Sequence, residues 1–174
     1  MNLSEHQRAM RDLLRGRAAA DDPYIAAAAA STGLAVTRDT ILGWQRFRLD
    51  RHCRLTAALL RQRGLYDTIV ATLPPLPYIE QLAEALFEVA SACGDPLVAS
   101  VAAFERAMLR DEAAEAVVDW PCEPYAILGA LLGGGEVPAT ASAPHQTTVS
   151  NAIPGRFRVT RVYARRTRAV AARG

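Results

Sequence analysis

The residue types that most often carry catalysis or bind metals are scattered along this chain. His6, His52 and His145 are far apart, and no cysteine stands at metal-ligand spacing from any of them. Cys53 follows His52 directly, but adjacent residues on a helix point about 100° apart and do not share a ligand easily. The chain also lacks a Gly-x-Ser-x-Gly nucleophile motif. These patterns predict no catalytic residue, no metal site and no cofactor in this chain.

Three glutamates, Glu80, Glu84 and Glu88, recur every four residues and predict an acidic stripe along one helix. Di-iron helical bundles combine such carboxylates with Glu-x-x-His pairs, but no histidine follows these glutamates at that spacing. The stripe therefore favours a solvent-exposed face whose like charges repel one another weakly. Arginines of an earlier helix could neutralise it, and the candidates are Arg51, Arg54 and Arg61.

Charge is distributed unevenly along the chain. All 20 basic residues are arginine. Residues 1–136 contain 13 arginines and 18 acidic residues, a net charge of −5, whereas residues 137–174 contain seven arginines and no acid, a net charge of +7. The two parts add up to the formal net charge of +2. A mildly acidic body with a basic C-terminal segment indicates a partner or an anion that meets the basic part.

Length and composition are those of a folded globular chain. The 174 residues are 51% hydrophobic and 22% charged, which excludes wholesale disorder and provides enough apolar surface for a core. No apolar stretch is long enough to cross a bilayer, and the first residues lack the pattern of a secretory signal. The three cysteines are odd in number and widely spaced, which favours reduced thiols and a cytoplasmic location.

The elements that must position these residues are predicted to be helices over the first 114 residues. Ser4 and Gln7 have the spacing of a capping box, so a first helix should begin there and run to about Arg15. Asp22-Pro23 predicts the start of a second helix, because a capping carboxylate precedes a proline at the first helical position. This alanine-rich helix should end near Gly33.

Thr37 is predicted to cap the longest helix, which should end before Gly64. Gly43 inside it should cost about 1 kcal/mol relative to alanine, and we interpret it as a close contact with another helix. Trp44 and Phe47, three residues apart, belong either to the core or to a partner interface. Of these two places, the core is favoured for Trp44.

Apolar periodicity predicts further helices over 65–73, over 78–93 with Val89 facing inward, and from Pro96 onward. The pattern then changes to a short strand over 116–120, a brief helix over 124–132 and a hairpin of 146–152 and 156–163. Pro154 and Gly155 between the hairpin strands suit a type II turn. The predicted fold is α+β, with a multi-helix bundle (1–114) followed by a small domain (115–174) that contains an antiparallel sheet, a short helix and a basic tail.

The hairpin contains the candidate peptide-binding residues. Arginine and apolar residues alternate along its second strand, so one face should be basic while the other packs. A sheet this small should leave an edge that accepts an extended peptide, while arginines beside it select acidic side chains. An edge whose charge only prevents aggregation is an equally good interpretation. The candidate residues are Arg156, Phe157, Arg158, Val159 and Arg161.

An alternative hypothesis is a helical DNA-binding or regulatory module. The predicted long helix contains six arginines that could follow phosphates: Arg46, Arg48, Arg51, Arg54, Arg61 and Arg63. Asp39 and Asp50 interrupt this series, and the helical part of the chain is net negative. No basic motif with interleaved aromatic residues is present, so nucleic acid is the less favoured partner.

Two segments carry a resemblance to a known family. The chain begins with Leu-Ser-x-x-Gln-x-x-Met-x-x-Leu-Leu-Arg-Gly (3–16), and a later helix reads Val-Ala-Ser-Val-Ala-Ala-Phe-Glu-Arg-Ala (98–107) before the strand, short helix and basic hairpin. This order resembles the MbnC-like partner subunits of multinuclear iron oxidases in methanobactin biosynthesis. Related groups are the partner protein of 3-thiaglutamate biosynthesis and a helical family described as DNA-binding. Trp-Gln-Arg-Phe-Arg (44–48) departs from the simpler Tyr-Arg of those relatives.

The resemblance implies a division of labour between two proteins and a peptide. A TIM-barrel partner would hold the iron and use dioxygen to convert cysteines of a ribosomally made precursor peptide to an oxazolone and a thioamide. This chain would supply no iron ligand. It would bind the catalytic partner, for which Trp44 and Phe47 are the candidate residues, and the leader of the precursor peptide.

Overall fold

The fold is described from a computed structural model of residues 2–14, 22–110, 115–138, 143–153 and 156–164. In the last two ranges, side chains are described for 143–150 and Val159. The elements follow in the order α1 Leu3–Leu14, α2 Pro23–Ala29, α3 Thr32–His52, α4 Arg54–Gln62, α5 Tyr66–Thr72, α6 Ile79–Ser91, α7 Pro96–Leu109, β1 Glu115–Trp120, α8 Pro124–Gly133, β2 His145–Ile153 and β3 Arg156–Ala164. The predicted α+β class, with helices followed by a small antiparallel sheet and a short helix, is confirmed.

Helix α1 begins earlier than the capping-box prediction, because a different pair of residues caps it. The Glu5 amide donates to Asn2 Oδ1 (2.9 Å), and the Asn2 amide donates to a Glu5 carboxylate oxygen (2.8 Å). This reciprocal pair has the same spacing as Ser4 and Gln7, so the predicted motif was right in type and wrong by two residues. Leu13 is the buried residue of α1.

The boundary between α2 and α3 also differs from the prediction. Asp22 caps α2 as expected, accepting from the amides of Tyr24 and Ile25. The helix nevertheless ends at Ala29, and Ser31 caps α3, so Gly33 lies inside a helix instead of ending one. Thr37 is likewise no cap, since its hydroxyl donates to the Gly33 carbonyl within α3.

The predicted long helix is broken at Cys53, and a buried glutamate from α7 stabilises the break. Helix α3 ends at His52 and α4 begins at Arg54. Glu105 accepts hydrogen bonds from the amides of Leu55 (2.9 Å) and Thr56 (2.8 Å), the first amides of α4 without a helical acceptor. The Glu105 side chain therefore caps α4 from 50 residues away in the sequence.

A second contact set holds α3, α4 and α5 together across this break. The Tyr66 hydroxyl donates to Asp50 Oδ1 (2.5 Å), and Arg61 forms an ion pair with the same oxygen. The Arg61 guanidinium also lies 4.1 Å from the centroid of the Tyr66 ring. Burial and the hydrogen bond to Asp50 raise the pKa of the Tyr66 hydroxyl, so this group stays a neutral donor.

The remaining helices follow the predicted pattern closely, with one correction. Helices α5, α6, α7 and α8 lie within a residue or two of their predicted limits. Asp95 caps α7 through the amides of Leu97 and Val98. Val89 was predicted to face inward, but its side chain is exposed because α6 turns its acidic side to solvent there.

The three described strands form one antiparallel sheet in the order β1-β2-β3. Val118 lies opposite Thr147, and Val149 lies opposite Ala116 on one side and Val159 on the other. The β2–β3 register shifts between Thr148 and Val149 and again between Ser150 and Ile153. The predicted turn at 154–155 and the basic tail at 165–174 lie outside the described residues.

One hydrophobic core joins the sheet to the helices from α3 to α8. Trp120 of β1 is its largest fully buried residue; its indole N–H donates to Thr147 Oγ1 (2.8 Å) and its ring packs edge-on against Phe104 of α7. A smaller cluster of Leu13, Ile25 and Leu34 joins α1 and α2 to the start of α3. The main core therefore continues across the boundary that was predicted near residue 114.

Candidate peptide and partner interfaces

Strand β3 lies at one edge of the described sheet. It pairs with β2 on one side, and no other described strand pairs with it. The opposite edge is β1, which packs with β2 on α7 through Val118, Trp120 and Val149. An edge strand presents backbone N–H and C=O groups that a further strand can pair with.

The register places two predicted arginines opposite one face of β2. Arg158 pairs with Ser150 and Arg161 with Thr148, and these two β2 residues are two positions apart. Arg158 and Arg161 are three residues apart, and in a regular strand residues at that spacing lie on opposite faces. The register shift beside Val159 adds one residue to β3 between them. The bulge therefore gives Arg158 and Arg161 equivalent register positions.

For the other predicted hairpin residues, the structure describes the position along β3, and for Val159 it also describes the side chain. Arg156 lies opposite Ile153, and Phe157 lies within β3. The side chains of these two residues, and those of Arg158 and Arg161, are outside the described atoms. Val159 is half-buried and packs against the main core, so it anchors β3 to the fold.

The acidic residues of the sheet lie on β1, two strands from β3. Glu115 pairs with Ser150 and Asp119 with Gln146, whose side-chain amide donates to Asp119 (3.0 Å). Adjacent strands are about 4.8 Å apart, so the β1 carboxylates are separated from β3 by about 10 Å. The register thus gives the sheet an acidic edge and a basic edge.

Trp44 and Phe47 lie on the outer face of α3, and the prediction that Trp44 belongs to the core is wrong. Trp44 is 61% exposed and Phe47 is 51% exposed. Their rings pack edge to face, with 5.7 Å between the centroids. The inward positions of this helix are instead occupied by Gln45 and Leu49, which turns the aromatic pair outward. The partner-interface interpretation of these two residues stays a prediction.

Gly43 makes no close helix contact, which corrects a second expectation. Apart from its two chain neighbours and the backbone of its own helix, a Cβ added there would meet no described atom within 4 Å. The residue instead lines a shallow surface depression of about 320 Å³ with Thr40, Trp44 and Phe47. The sequence contained a usable signal for this surface, since Val36, Thr40, Gly43 and Phe47 follow the 4-3-4 spacing of a helix seam.

One glutamate of the acidic stripe on α6 pairs with an arginine other than those predicted. Arg106 of α7 forms an ion pair with Glu84. Of the predicted arginines, Arg61 pairs with Asp50 instead. Among the described residues, neither Arg51 nor Arg54 forms an ion pair with the stripe, so the pairing suggested for these candidates is not observed.

Most of the arginines in the DNA-binding hypothesis already have partners within the chain. They are engaged as follows: Arg46 with Asp67, Arg48 with the carbonyls of Leu76 and Pro77, Arg61 with Asp50, and Arg63 with Asp95. These contacts reduce the positive charge available to phosphates along α3 and α4. They weaken the DNA-binding hypothesis.

Buried titratable groups cluster at the helix break. Burial raises the pKa of Glu105, and burial together with the nearby Glu105 and Glu84 raises the pKa of the Cys53 thiol. A thiol whose pKa is raised is a poor nucleophile, and the Glu105 carboxylate is occupied by backbone amides. These residues therefore stabilise the fold. Sequence reasoning missed Glu105 because its hydrogen-bond partners lie in a distant helix.

A cavity of about 310 Å³ lies between α1, α3 and the segment after α5. Its polar lining groups bind the protein itself: Arg38 donates to the Leu13 carbonyl, and the Gln45 amide donates to the Pro74 carbonyl (3.0 Å). These contacts hold neighbouring elements together. In the part of the chain that the structure describes, no group of three or more His, Cys, Asp or Glu side chains could hold a metal ion.

None of the described helices is both long and apolar enough to cross a membrane. Comparison with known proteins found no matching family model, no matching curated protein and no matching solved structure.

Proposed function

We propose that this chain is a non-catalytic, peptide-binding subunit that accepts an extended segment of a precursor peptide along the β3 edge. The observation that supports this most is the position of β3 as an outer strand in a region of net charge +7. A peptide that adds as a fourth strand gains main-chain hydrogen bonds, and pockets and charges beside it provide selectivity. The sheet is held on α7 by buried residues, so the edge is supported by a rigid base.

The peptide segment is acidic in this proposal. Arg158 and Arg161 have equivalent register positions, so carboxylates at alternate residues of an added strand would match them. Charge-assisted hydrogen bonds contribute about 1.5–3 kcal/mol when shielded from water and much less when exposed. Backbone pairing would supply the remainder. The charge also keeps the open edge from pairing with other copies.

The catalytic step belongs to a partner in this proposal. The partner is a TIM-barrel iron-dependent oxidase that uses dioxygen to convert peptide cysteine to oxazolone and thioamide, and both proteins work in the cytoplasm. This part rests on the resemblance of the 3–16 and 98–107 segments. The present chain would bring the leader and the oxidase together.

The leader-binding experiment first searches the neighbouring genes for a short cysteine-containing peptide and uses the leader of that peptide as the probe. Replacing Arg156, Arg158 and Arg161 together by alanine should weaken leader binding at least about tenfold at low salt, and Val159→Pro should weaken it further if that amide faces the peptide. Circular dichroism must show that each variant is folded. Arg8→Ala/Arg11→Glu on α1, which lowers the net charge by the same three units, is the control for net charge, and Val117→Pro is the control for the opposite edge.

Unchanged leader affinity in the triple arginine variant would contradict the electrostatic part of the proposal. If the folded Val159→Pro variant also binds normally, the hairpin is not the peptide site. A second test addresses catalysis: the chain alone, with iron and dioxygen, should leave the mass of the precursor peptide unchanged. A mass shift without the oxidase would contradict the subunit role.

A further inference from the structure

The outer face of α3 presents a row of residues that the described fold does not cover. We define the α3 seam as Val36, Thr40, Gly43 and Phe47. All four residues are exposed, and so is Trp44 beside them. Their 4-3-4 spacing keeps them on one side of the helix, as in a helix that packs along another helix. An exposed apolar face with this spacing indicates an interface with a second helix.

Two charged residues lie along one flank of the α3 seam. Residues seven positions apart lie at nearly the same angle around a helix, so Asp39 and Arg46 share this flank. Asp39 is exposed, and its side chain has no hydrogen bond or ion pair among the described residues. Arg46 binds Asp67, yet its side chain stays 41% exposed. The flank therefore contains an acid without a partner and an arginine with donors for a second carboxylate.

We propose that the α3 seam packs antiparallel against the α3 seam of a second copy of this chain, around a two-fold axis at the middle of the helix. Val36 then faces Phe47 of the other copy, and Thr40 faces Gly43. Each contact occurs twice, as a two-fold interface requires. Because α3 spans Thr32–His52, this register overlaps almost the whole helix, over about 29 Å.

The sizes of the facing residues are complementary in this register. Thr40 and Gly43 are small and lie next to the axis, so the two helices can approach closely there. Apart from its chain neighbours and its own helix backbone, nothing described lies within 4 Å of a Cβ added at Gly43. The depression in front of Trp44 and Phe47 therefore stays open for Thr40 of the other copy. Further from the axis, Phe47 covers Val36.

The charges are complementary in the same register. A two-fold axis between antiparallel helices sets each flank of one helix against the same flank of the other. Asp39 therefore comes within one helical turn of Arg46 of the other copy, and this pair also occurs twice. Carboxylate–guanidinium pairs beside a helix seam select the partner and its orientation. The opposite flank sets Trp44 beside Thr37 of the other copy.

An antiparallel pair shifted by one heptad fits less well. It sets Phe47 over Gly43 of the other copy, but it also opposes the two Arg46 side chains and leaves the first turns of α3 uncovered. Arg51 comes level with Asp39 of the other copy, yet these two residues lie on opposite flanks of the seam. The shifted register therefore replaces two opposite-charge pairs by a like-charge contact.

A parallel pair also fits less well. It sets Phe47 against Phe47 and Gly43 against Gly43, so that large residues meet large ones and the depressions face each other. It further brings Arg46 beside Arg51 of the other copy, since these flanking positions meet in parallel helix pairs. The antiparallel register centred on α3 is thus the one that matches both size and charge.

The interface is small, and the dimer is therefore weak. About ten residues of each copy come within reach of the other helix, against roughly 20–30 a side in an interface of standard size. We expect a dissociation constant on the order of 10–100 μM. In dilute solution the chain is then a monomer with an accessible Trp44.

Sedimentation equilibrium from about 1 μM to about 1 mM measures the monomer–dimer equilibrium. Phe47→Glu, which places a charge in the seam, and Asp39→Arg, which faces Arg46, should each weaken dimerisation at least about tenfold. Tyr125→Glu on α8 and Glu88→Arg on α6 make the same kinds of change at exposed positions and should dimerise normally. Circular dichroism must show that each variant is folded.

Disulfide cross-linking determines the register. The variants are made in a Cys93→Ala background, because Cys53 and Cys122 are buried whereas Cys93 is partly exposed. Thr40→Cys mixed with Gly43→Cys should form a mixed disulfide faster than Gly43→Cys mixed with Phe47→Cys. The reverse order would show the shifted register and overturn the proposed one.

A chain that stays monomeric at the highest concentration would overturn the proposal and leave the α3 seam to a different protein. A dimer that both folded variants, Phe47→Glu and Asp39→Arg, keep at wild-type strength would place the contact elsewhere and overturn it as well. Neither a leader peptide nor an oxidase takes part in these measurements. Their outcome is therefore independent of the proposed function, which the leader-binding experiment tests separately.

Discussion

Among the described residues, Glu105 is the one acidic residue whose side chain is buried. Its side chain is 3% exposed and accepts from two backbone amides, and burial raises its pKa from the ordinary value of 4.5. The hydrogen bonds from Thr56 and Leu55 and the charge of Arg54 oppose this rise without cancelling it. A buried carboxylate with this balance makes the stability of the fold depend on pH.

The sign of that dependence follows from the direction of the pKa shift. Because the native state keeps the Glu105 proton to a higher pH than the unfolded chain does, this group contributes most stability below pH 4.5, and its contribution falls as the pH rises through the native pKa. Relative to Glu105→Gln, which cannot titrate, the wild-type free energy of unfolding should increase as the pH is lowered from 7 towards 4.5. Urea denaturation of both proteins across this range measures it. If the free energy of unfolding of the wild type, relative to that of Glu105→Gln, increases as the pH rises, the expectation is wrong.

Among the elements, the most informative arrangement is the break between α3 and α4. A continuous helix would keep its axis past residue 53, whereas the break lets Leu55, Leu59 and Leu60 enter the core beneath α7. The new helix start needs acceptors for its first amides, and Glu105 of α7 supplies one carboxylate for two of them. The direction of α4 therefore depends on a contact with α7.

Glu105→Ala should therefore destabilise the protein far more than removal of a surface carboxylate. The change leaves two buried amides without an acceptor and opens a cavity, which together should cost at least about 2 kcal/mol. Glu88→Ala, at an exposed position of α6, should change the free energy of unfolding by about 0.5 kcal/mol or less. Chemical denaturation of both variants at pH 7 provides the comparison, and equal small effects would show that the break does not depend on Glu105.

On the scale of the whole molecule, the two tryptophans report on different regions. Trp120 is 1% exposed at the centre of the main core, whereas Trp44 is 61% exposed on the outer face of α3. The molecule therefore has a rigid sheet–helix core with one candidate binding surface on β3 and another on α3.

Iodide should quench a large part of the fluorescence of the native protein and leave the remainder protected. Trp44→Phe should remove the accessible part, because the remaining Trp120 is surrounded by α7 and β2. The measurement is a quenching titration of native and unfolded wild type and variant. Equal accessibility of both tryptophans in the native state would contradict the described burial.

The sequence alone determined most of the elements. Local signals such as Asp22-Pro23, Asp95-Pro96 and the β-branched residues of 116–120 depend on the chain within a few residues, so their elements begin within a residue of the predicted positions. The asymmetry of charge and the placement of the arginines on a hairpin strand could likewise be read directly. The small number of predicted strands indicated an open edge, and the strand order then assigned one edge to β3.

Tertiary structure decided the features that depend on distant partners. The break at Cys53 follows from Glu105, 50 residues from the amide that it binds, and no local pattern near Cys53 encodes it. The outward turn of Trp44 was hidden because Gln45 and Leu49 occupy the core side, and the bulge beside Val159 appears only in the register with β2. Local propensities select helices and strands, but only packing between remote segments fixes which face of each is buried.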